Sequence, residues 1–286
     1  MLSQFFGRKK NKPEAIKIHH LDELLRRGTL TQSIKESGVD RSNLLLGETD
    51  TKPRRLVSIK RPVALVGPAG CGQIETLKLL TAQYVALGFP VVFFDCAGDK
   101  ETKNEIITLA SELKAAWSEL YLVELGGRPA LCADEDHIIA SLLEKTNGPT
   151  LAYWGPQLGS WKKGSGELEW ASMALFDLVD QRQLLNDADP NYVPDLLVVI
   201  ANAYAMENLP EKQFLLDLLK LSSPSKTRFV YDMQDVNKKE MEKSEHTGTF
   251  CVYSCTHVDG ANSAEQMEIN SLMAGQVRVY ESAARA

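Results

Sequence analysis

The chain has 286 residues, 44% of them apolar and 24% charged, enough to bury one sizeable core and ordinary for a single α/β domain. Its formal net charge of −6 is no footprint of a free-standing nucleic-acid binder, so DNA contact by this chain alone is not expected. The five cysteines, Cys71, Cys96, Cys132, Cys251 and Cys255, are scattered and imply reduced thiols rather than a disulfide framework; no apolar run of about 18 residues is present to cross a membrane.

In chain order, residues 1–15 read as a basic flexible tail, with Arg8, Lys9, Lys10 and Lys12 close to Phe5 and Phe6. The charges follow the apolar residues, which is not the order of a signal peptide, and the pattern would allow peripheral contact with a membrane or a partner. Residues 16–62 form an N-terminal extension. A helix is predicted over 16–36 from Leu21, Leu24 and Leu25, then a hairpin from Leu44-Leu45-Leu46-Gly47 to Leu56-Val57-Ser58-Ile59.

Residues 63–286 alternate strand and helix signals. Strands are predicted at 63–66, 90–95, 120–124, 150–154, 195–202, 228–231, 250–255 and 276–280. Helices are predicted at 74–87, 100–117, 134–145, 167–185, 210–221 and 263–272. That alternation predicts an α/β fold, a mostly parallel sheet with helices on both faces. Trp154, Trp161 and Trp170 bracket a glycine-rich segment holding Lys162 and Lys163, which reads either as a loop at the sheet edge or, for Trp154 and Trp170, as core.

The chemistry-bearing stretch is Val63-Ala64-Leu65-Val66 followed by Gly67-Pro68-Ala69-Gly70-Cys71-Gly72-Gln73-Ile74 and a helical pattern. Gly67 and Gly72 keep the G-x-x-x-x-G spacing of a phosphate loop, in which backbone N–H groups point inward at a helix N-terminus. Such a loop continues with Lys, which meets the β- and γ-phosphates, and Ser or Thr, which ligates Mg²⁺; here Gln73 and Ile74 stand instead. The loss of the lysine alone would weaken nucleotide binding about tenfold to a hundredfold. A hydrolytic site also needs an apolar strand ending in an acid, whereas Leu196–Ile200 runs into Ala201-Asn202 and Glu207 lies further on.

The order of these features resembles the coupling-protein ATPases of conjugation and type IV secretion, in the FtsK- and HerA-like branch of RecA-type P-loop motors. Phe94-Asp95-Cys96-Ala97-Gly98-Asp99 is similar to that family's Asp-Pro-x-Gly-Asp turn, with Asp95 and Asp99 kept. Leu196 to Pro210 is similar to its Walker B strand, with Asn202 in the acidic region, and Phe229 to Gln234 to its strand ending in a nucleotide-sensing glutamine. The resemblance implies a RecA-like P-loop fold, and a nucleotide site at Gly67, Gly70, Gly72, Gln73 and Ile74 with Asp95, Asp99, Asn202 and Gln234 around it. It also implies protein subunits of a secretion or conjugation complex as partners, an oligomer, and a place in the cytoplasm, at the inner face of the membrane through those partners.

With both Walker motifs degenerate, the expectation is a catalytically inactive ATPase-like binding or scaffold subunit. No catalytic residue and no metal is assigned, and the ligand would be ATP or ADP bound without strong Mg²⁺ dependence. The alternative is a divergent active NTPase that receives residues in trans from a neighbouring subunit. Cys251, Cys255 and His257 fall on one face of a predicted strand, a spacing better suited to buried thiols than to zinc. Cys71, at a helix N-terminus, has no histidine near it in sequence and is not read as a nucleophile.

Overall fold

Uninterrupted apolar runs make strands that are buried on both faces, and those runs build the centre of this molecule. The computed structural model describes residues 15–26, 30–52, 54–144, 148–156, 166–207, 213–237, 241, 244–254, 256–273 and 276–282. Residues 1–14 of the basic tail, Trp161, Lys162, Lys163, Pro210 and Cys255 lie outside the described residues.

The N-terminal part comprises β1 (Ala15–Ile18), α1 (Leu21–Arg26), α2 (Leu30–Ser37), β2 (Asn43–Glu48) and β3 (Arg55–Ser58). There follow β4 (Val63–Val66), α3 (Gln73–Ala86), β5 (Val91–Asp95), α4 (Lys100–Glu112), β6 (Ala116–Leu125), β7 (Arg128–Ala133), α5 (Asp136–Leu143), β8 (Thr150–Trp154) and α6 (Gly166–Ala188). The last part holds β9 (Leu196–Ala201), α7 (Tyr204–Glu207), α8 (Gln213–Lys220), β10 (Thr227–Met233), β11 (Val236–Asn237), β12 (Thr249–Tyr253), β13 (Val258–Asp259), α9 (Ser263–Asn270) and β14 (Gln276–Glu281).

A 12-stranded sheet has the order β3-β2-β1-β14-β12-β4-β10-β9-β5-β8-β6-β7. From β12 to β6 neighbouring strands are parallel, and the antiparallel pairs lie at the two ends. Alternation sends side chains to two cores. Val63, Leu65, Val91, Phe93, Leu197 and Val199 pack with α3 and α4 on one face. Ala64, Val66, Val92, Phe94, Val198 and Ile200 pack with α5, α6 and α8 on the other. Each fully buried Val, Leu or Ile contributes about 1.5–3 kcal/mol, so these central strands hold the loop edge rigidly. The mostly parallel α/β sheet with helices on both faces expected from the sequence is what the chain forms.

Several elements differ from expectation. The helix predicted from residue 16 begins only at Leu21, because Ile16 and Ile18 are buried at period two in β1, which pairs with β14 and β2. The helix predicted to residue 117 stops at Glu112, and Ala116 already pairs with Thr150 of β8. An unpredicted strand, β7, folds back on β6 from Leu120↔Ala133 to Leu125↔Arg128, so this hairpin reaches past the sheet edge at which β8 ends. The predicted strand over 250–255 ends at Tyr253, so His257 is not on the strand face that carries Cys251.

Candidate active-site loop

In a parallel sheet the carboxyl ends of the strands collect the loops that bind ligands, and β4, β10, β9 and β5 end side by side here. Between β4 and α3 the chain turns through Gly67 to Gly72. Gly72 has φ +104°, a left-handed conformation suited to glycine, and it caps α3. At Gly67 a Cβ would lie 2.6 Å from the Cys71 Sγ and 2.9 Å from Tyr253 Cβ, so the backbone approach there requires the absence of a side chain. The Tyr253 hydroxyl meets Thr76 Oγ1 and Gly72 O beneath the helix start, and Thr256 Oγ1 donates to Val66 O at 3.1 Å.

The loop backbone remains open to an anion. Gly67 N–H donates to Met233 O at 3.0 Å, Cys71 N–H to Pro68 O and Thr76 N–H to Gly72 O. Among the described residues, none accepts a hydrogen bond from the N–H groups of Ala69, Gly70, Gly72, Gln73, Ile74 or Glu75. A row of unpartnered donors at a helix N-terminus is the arrangement that takes phosphate.

The side chains tell a different story. Gln73 is buried, and its Nε2 donates to Leu65 O at 3.1 Å, Gly67 O at 2.9 Å and Met233 O at 3.0 Å. Three acceptors converge on that nitrogen, which fixes the amide orientation and turns the side chain under the loop. Ile74 is half-buried and packs into the α3-side core. The nearby lysine of α3, Lys78, is buried and held by Glu75 at 2.6 Å and Glu105 at 2.8 Å. Burial pushes its pKa down, and the hydrogen bonds with Glu105 and Glu75 more than reverse that, so it is a fixed cation away from the loop.

The carboxylates predicted around the site serve backbone and neighbours. Asp95, fully buried at the end of β5, accepts four hydrogen bonds. Oδ1 takes Ala97 N–H at 3.0 Å and Asn202 Nδ2 at 2.9 Å; Oδ2 takes Asp99 N–H at 2.9 Å and the Tyr153 hydroxyl at 3.0 Å. Asp99 is the N-cap of α4, accepting from Thr102 N–H at 2.8 Å, a bond that holds its carboxyl below the usual range. Asn202 sits at the tip of β9 with φ +59°, and its amide reaches Asp95 rather than the loop. Gln234 lies exposed just past β10.

Asp232, which the sequence reading passed over, lies at the end of β10 beside β4, where Asp232 pairs with Leu65. It is 4% exposed and accepts Ala203 N–H at 2.7 Å. Burial raises its pKa to about 6, against the backbone hydrogen bonds from Ala203 and Asn202 that lower it, with the Asp95 charge adding to the rise. The signal for it was present: Phe229-Val230-Tyr231 is an apolar run ending in an acid.

Trp154 is buried and stacked on Phe94 at 4.3 Å between ring centroids, which makes it core, and Trp170 is half-buried. Burial pushes the Cys251 thiol up to about 12, so it is inert at neutral pH. Among the described residues no three His, Cys, Asp or Glu side chains are grouped to hold a metal ion, and no helix is long and apolar enough to cross a membrane.

No family model matches the chain, and no curated protein does. Among solved structures, the chain is similar to the genome packaging NTPase B204 of Sulfolobus turreted icosahedral virus 2 in complex with ATP-gammaS, at 8% identity and a TM-score of 0.41, over 79% of this chain and 99% of that one. It is also similar to the pCW3 conjugation coupling protein TcpA, at 12% identity and a TM-score of 0.44, over 82% of this chain and 59% of that one. A third is EssC (ATPases 2 and 3) from Geobacillus thermodenitrificans, at 10% identity and a TM-score of 0.38, over 80% of this chain and 40% of that one. The chain thus spans less than two thirds of the second and third of these proteins.

Proposed function

We propose that this chain is a catalytically inactive NTPase-like subunit that holds the phosphates of ATP or ADP by backbone N–H groups, without strong need of Mg²⁺. In this reading it serves as a binding component of a type IV secretion or conjugation machine. The observation that carries it is the split at the loop: the Gln73 amide is spent on three carbonyls under the turn, while the N–H groups above it stay open. The carboxylates that would hold a metal or orient water are engaged as well, Asp95 by four donors and Asp99 by the α4 N-terminus. The class of machine comes from the order of the sequence motifs.

Calorimetry with ATP and ADP tests this. Binding about tenfold to a hundredfold weaker than at a lysine-bearing loop is expected, equal in Mg²⁺ and in EDTA, with hydrolysis at background. The double substitution Gln73→Lys and Ile74→Thr should introduce Mg²⁺ dependence, because the threonine hydroxyl supplies the metal ligand and the longer lysine side chain reaches the phosphates above the turn. Tight Mg²⁺-dependent binding to the unaltered protein would sink the proposal.

Asp232 supports a second reading, a divergent NTPase completed by a neighbouring subunit. A buried carboxyl with a pKa near 6, on the strand beside the loop strand, is poised as a base. That reading requires turnover in the verified oligomer that Asp232→Asn abolishes; an oligomer without turnover rejects it.

A further inference from the structure

Immediately after β12, the chain passes the loop and opens a cavity at the same edge of the sheet. Thr256 is bonded to Val66 O, and its hydroxyl lies 3.2 Å from where a Cβ of Gly67 would be. The next residue, His257, is the first to line a depression of about 410 Å³ that continues along β13 and α9. That volume is at the small end of ligand sites, matched to one ring and a sugar rather than to a dinucleotide.

The lining is mixed, with apolar surface beside polar groups that include the Asp259 carboxylate. Met267 of α9 is 66% exposed, an unusual placement for a thioether, and presents a soft apolar surface of the kind that rests against aromatic rings. Val258 and Ala261 add apolar wall, while Ser263 and Asn270 offer hydroxyl and amide groups at the rim. The shape is held from beneath. Gln266 Nε2 donates to Thr256 O at 2.8 Å and to Asn270 Oδ1 at 3.0 Å, and its Oε1 accepts Val258 N–H at 3.2 Å, tying α9 to the segment that touches the loop. β13 is further fixed by parallel pairing with β11, the two-residue strand that follows β10 in the chain and forms a separate two-stranded sheet with it.

We infer that this cavity is the base-and-sugar subsite for a mononucleotide whose phosphates lie on the open N–H groups of Ala69, Gly70 and Gly72 to Glu75. The inference rests on the phosphate-loop reading and adds what that reading lacks, a reason for the chain to prefer a nucleotide over a bare polyphosphate. Phosphate contacts give affinity without identity; the ring contacts of Met267 and His257 give the preference.

The test compares ATP with inorganic tripolyphosphate, both in EDTA, by calorimetry on the full chain and on Met267→Ala and His257→Ala. Both positions are exposed, so neither variant should disturb the fold. The wild type should bind ATP about tenfold more tightly than tripolyphosphate, a difference of about 1.4 kcal/mol. Each variant should bring that ratio towards one with tripolyphosphate affinity unchanged. Equal affinities in the wild type, or a ratio that survives both substitutions, would overturn the subsite and leave the phosphate loop standing. Failure of both ligands to bind would remove the loop reading and the subsite together.

Discussion

The two edges of the central sheet treat their buried acids in opposite ways. Where β5 ends, Asp95 is surrounded by neutral donors, two backbone N–H groups, an amide and a phenol. At the far edge Asp195 stands between two cations, Arg41 at 3.1 Å and Arg228 at 3.5 Å. Nearby, fully buried Arg182 donates to Thr227 Oγ1 at 3.2 Å and to Leu142 O and Pro194 O. Burial lowers the Arg182 pKa to about 9, which leaves it charged at neutral pH. The difference teaches that the molecule holds its buried acids in two ways: with fixed cations around Asp195, and with neutral donors around Asp95.

The largest expected effect breaks the far edge. Arg182→Ala removes the donors of three buried acceptors and opens a cavity, and should cost about 3–5 kcal/mol in denaturant unfolding; a loss below about 1 kcal/mol would show that the cation is not architectural. At the loop edge, Asp95→Ala strands four donors at once and should cost about 3 kcal/mol, with proteolysis after β5 and β9 reporting the loosened turns. An unchanged melting temperature would refute that role.

Asp232 sharpens the contrast through pH. Its folded pKa lies above the usual value, so its contribution is present below about pH 4 and is lost as pH rises through about 6. Stability of the wild type relative to Asp232→Asn should therefore fall by about 2 kcal/mol between pH 4 and pH 7, and a flat difference would contradict the buried placement. The smallest effect is Tyr153→Phe, which deletes one of four donors to Asp95 and should cost about 1 kcal/mol; thermal unfolding beside Asp95→Ala gives the comparison.

Much of the centre was legible because continuous apolar runs have few alternatives. Val91–Asp95, Thr150–Trp154 and Leu196–Ala201 form strands within a residue or two of expectation. Short alternating strands were not, since Ile16 and Ile18 sit beside Leu21, Leu24 and Leu25, and the longer helical period masks a four-residue period of two. The β6–β7 hairpin carried a Gly126-Gly127 signal for a tight turn, but Pro129 and Arg128 made its second strand look like loop. The glycine loop could be read from spacing. The inward turn of Gln73 could not, because its three acceptors come from Leu65, Gly67 and Met233, and the last is brought there only by the pairing of β10 with β4.

That pairing also sets an order of events during synthesis. Both neighbours of β4 come from the last quarter of the chain: Val63 pairs with Val230 on one side and with Thr249 on the other. At ribosomal speeds of about 5–20 residues per second, the strand that carries the loop waits on the order of 10 s with both its edges bare. A nascent chain stalled before β10 would present a sticky apolar ribbon, so a translational pause between β4 and β10 lengthens the exposure of the strand that carries the loop.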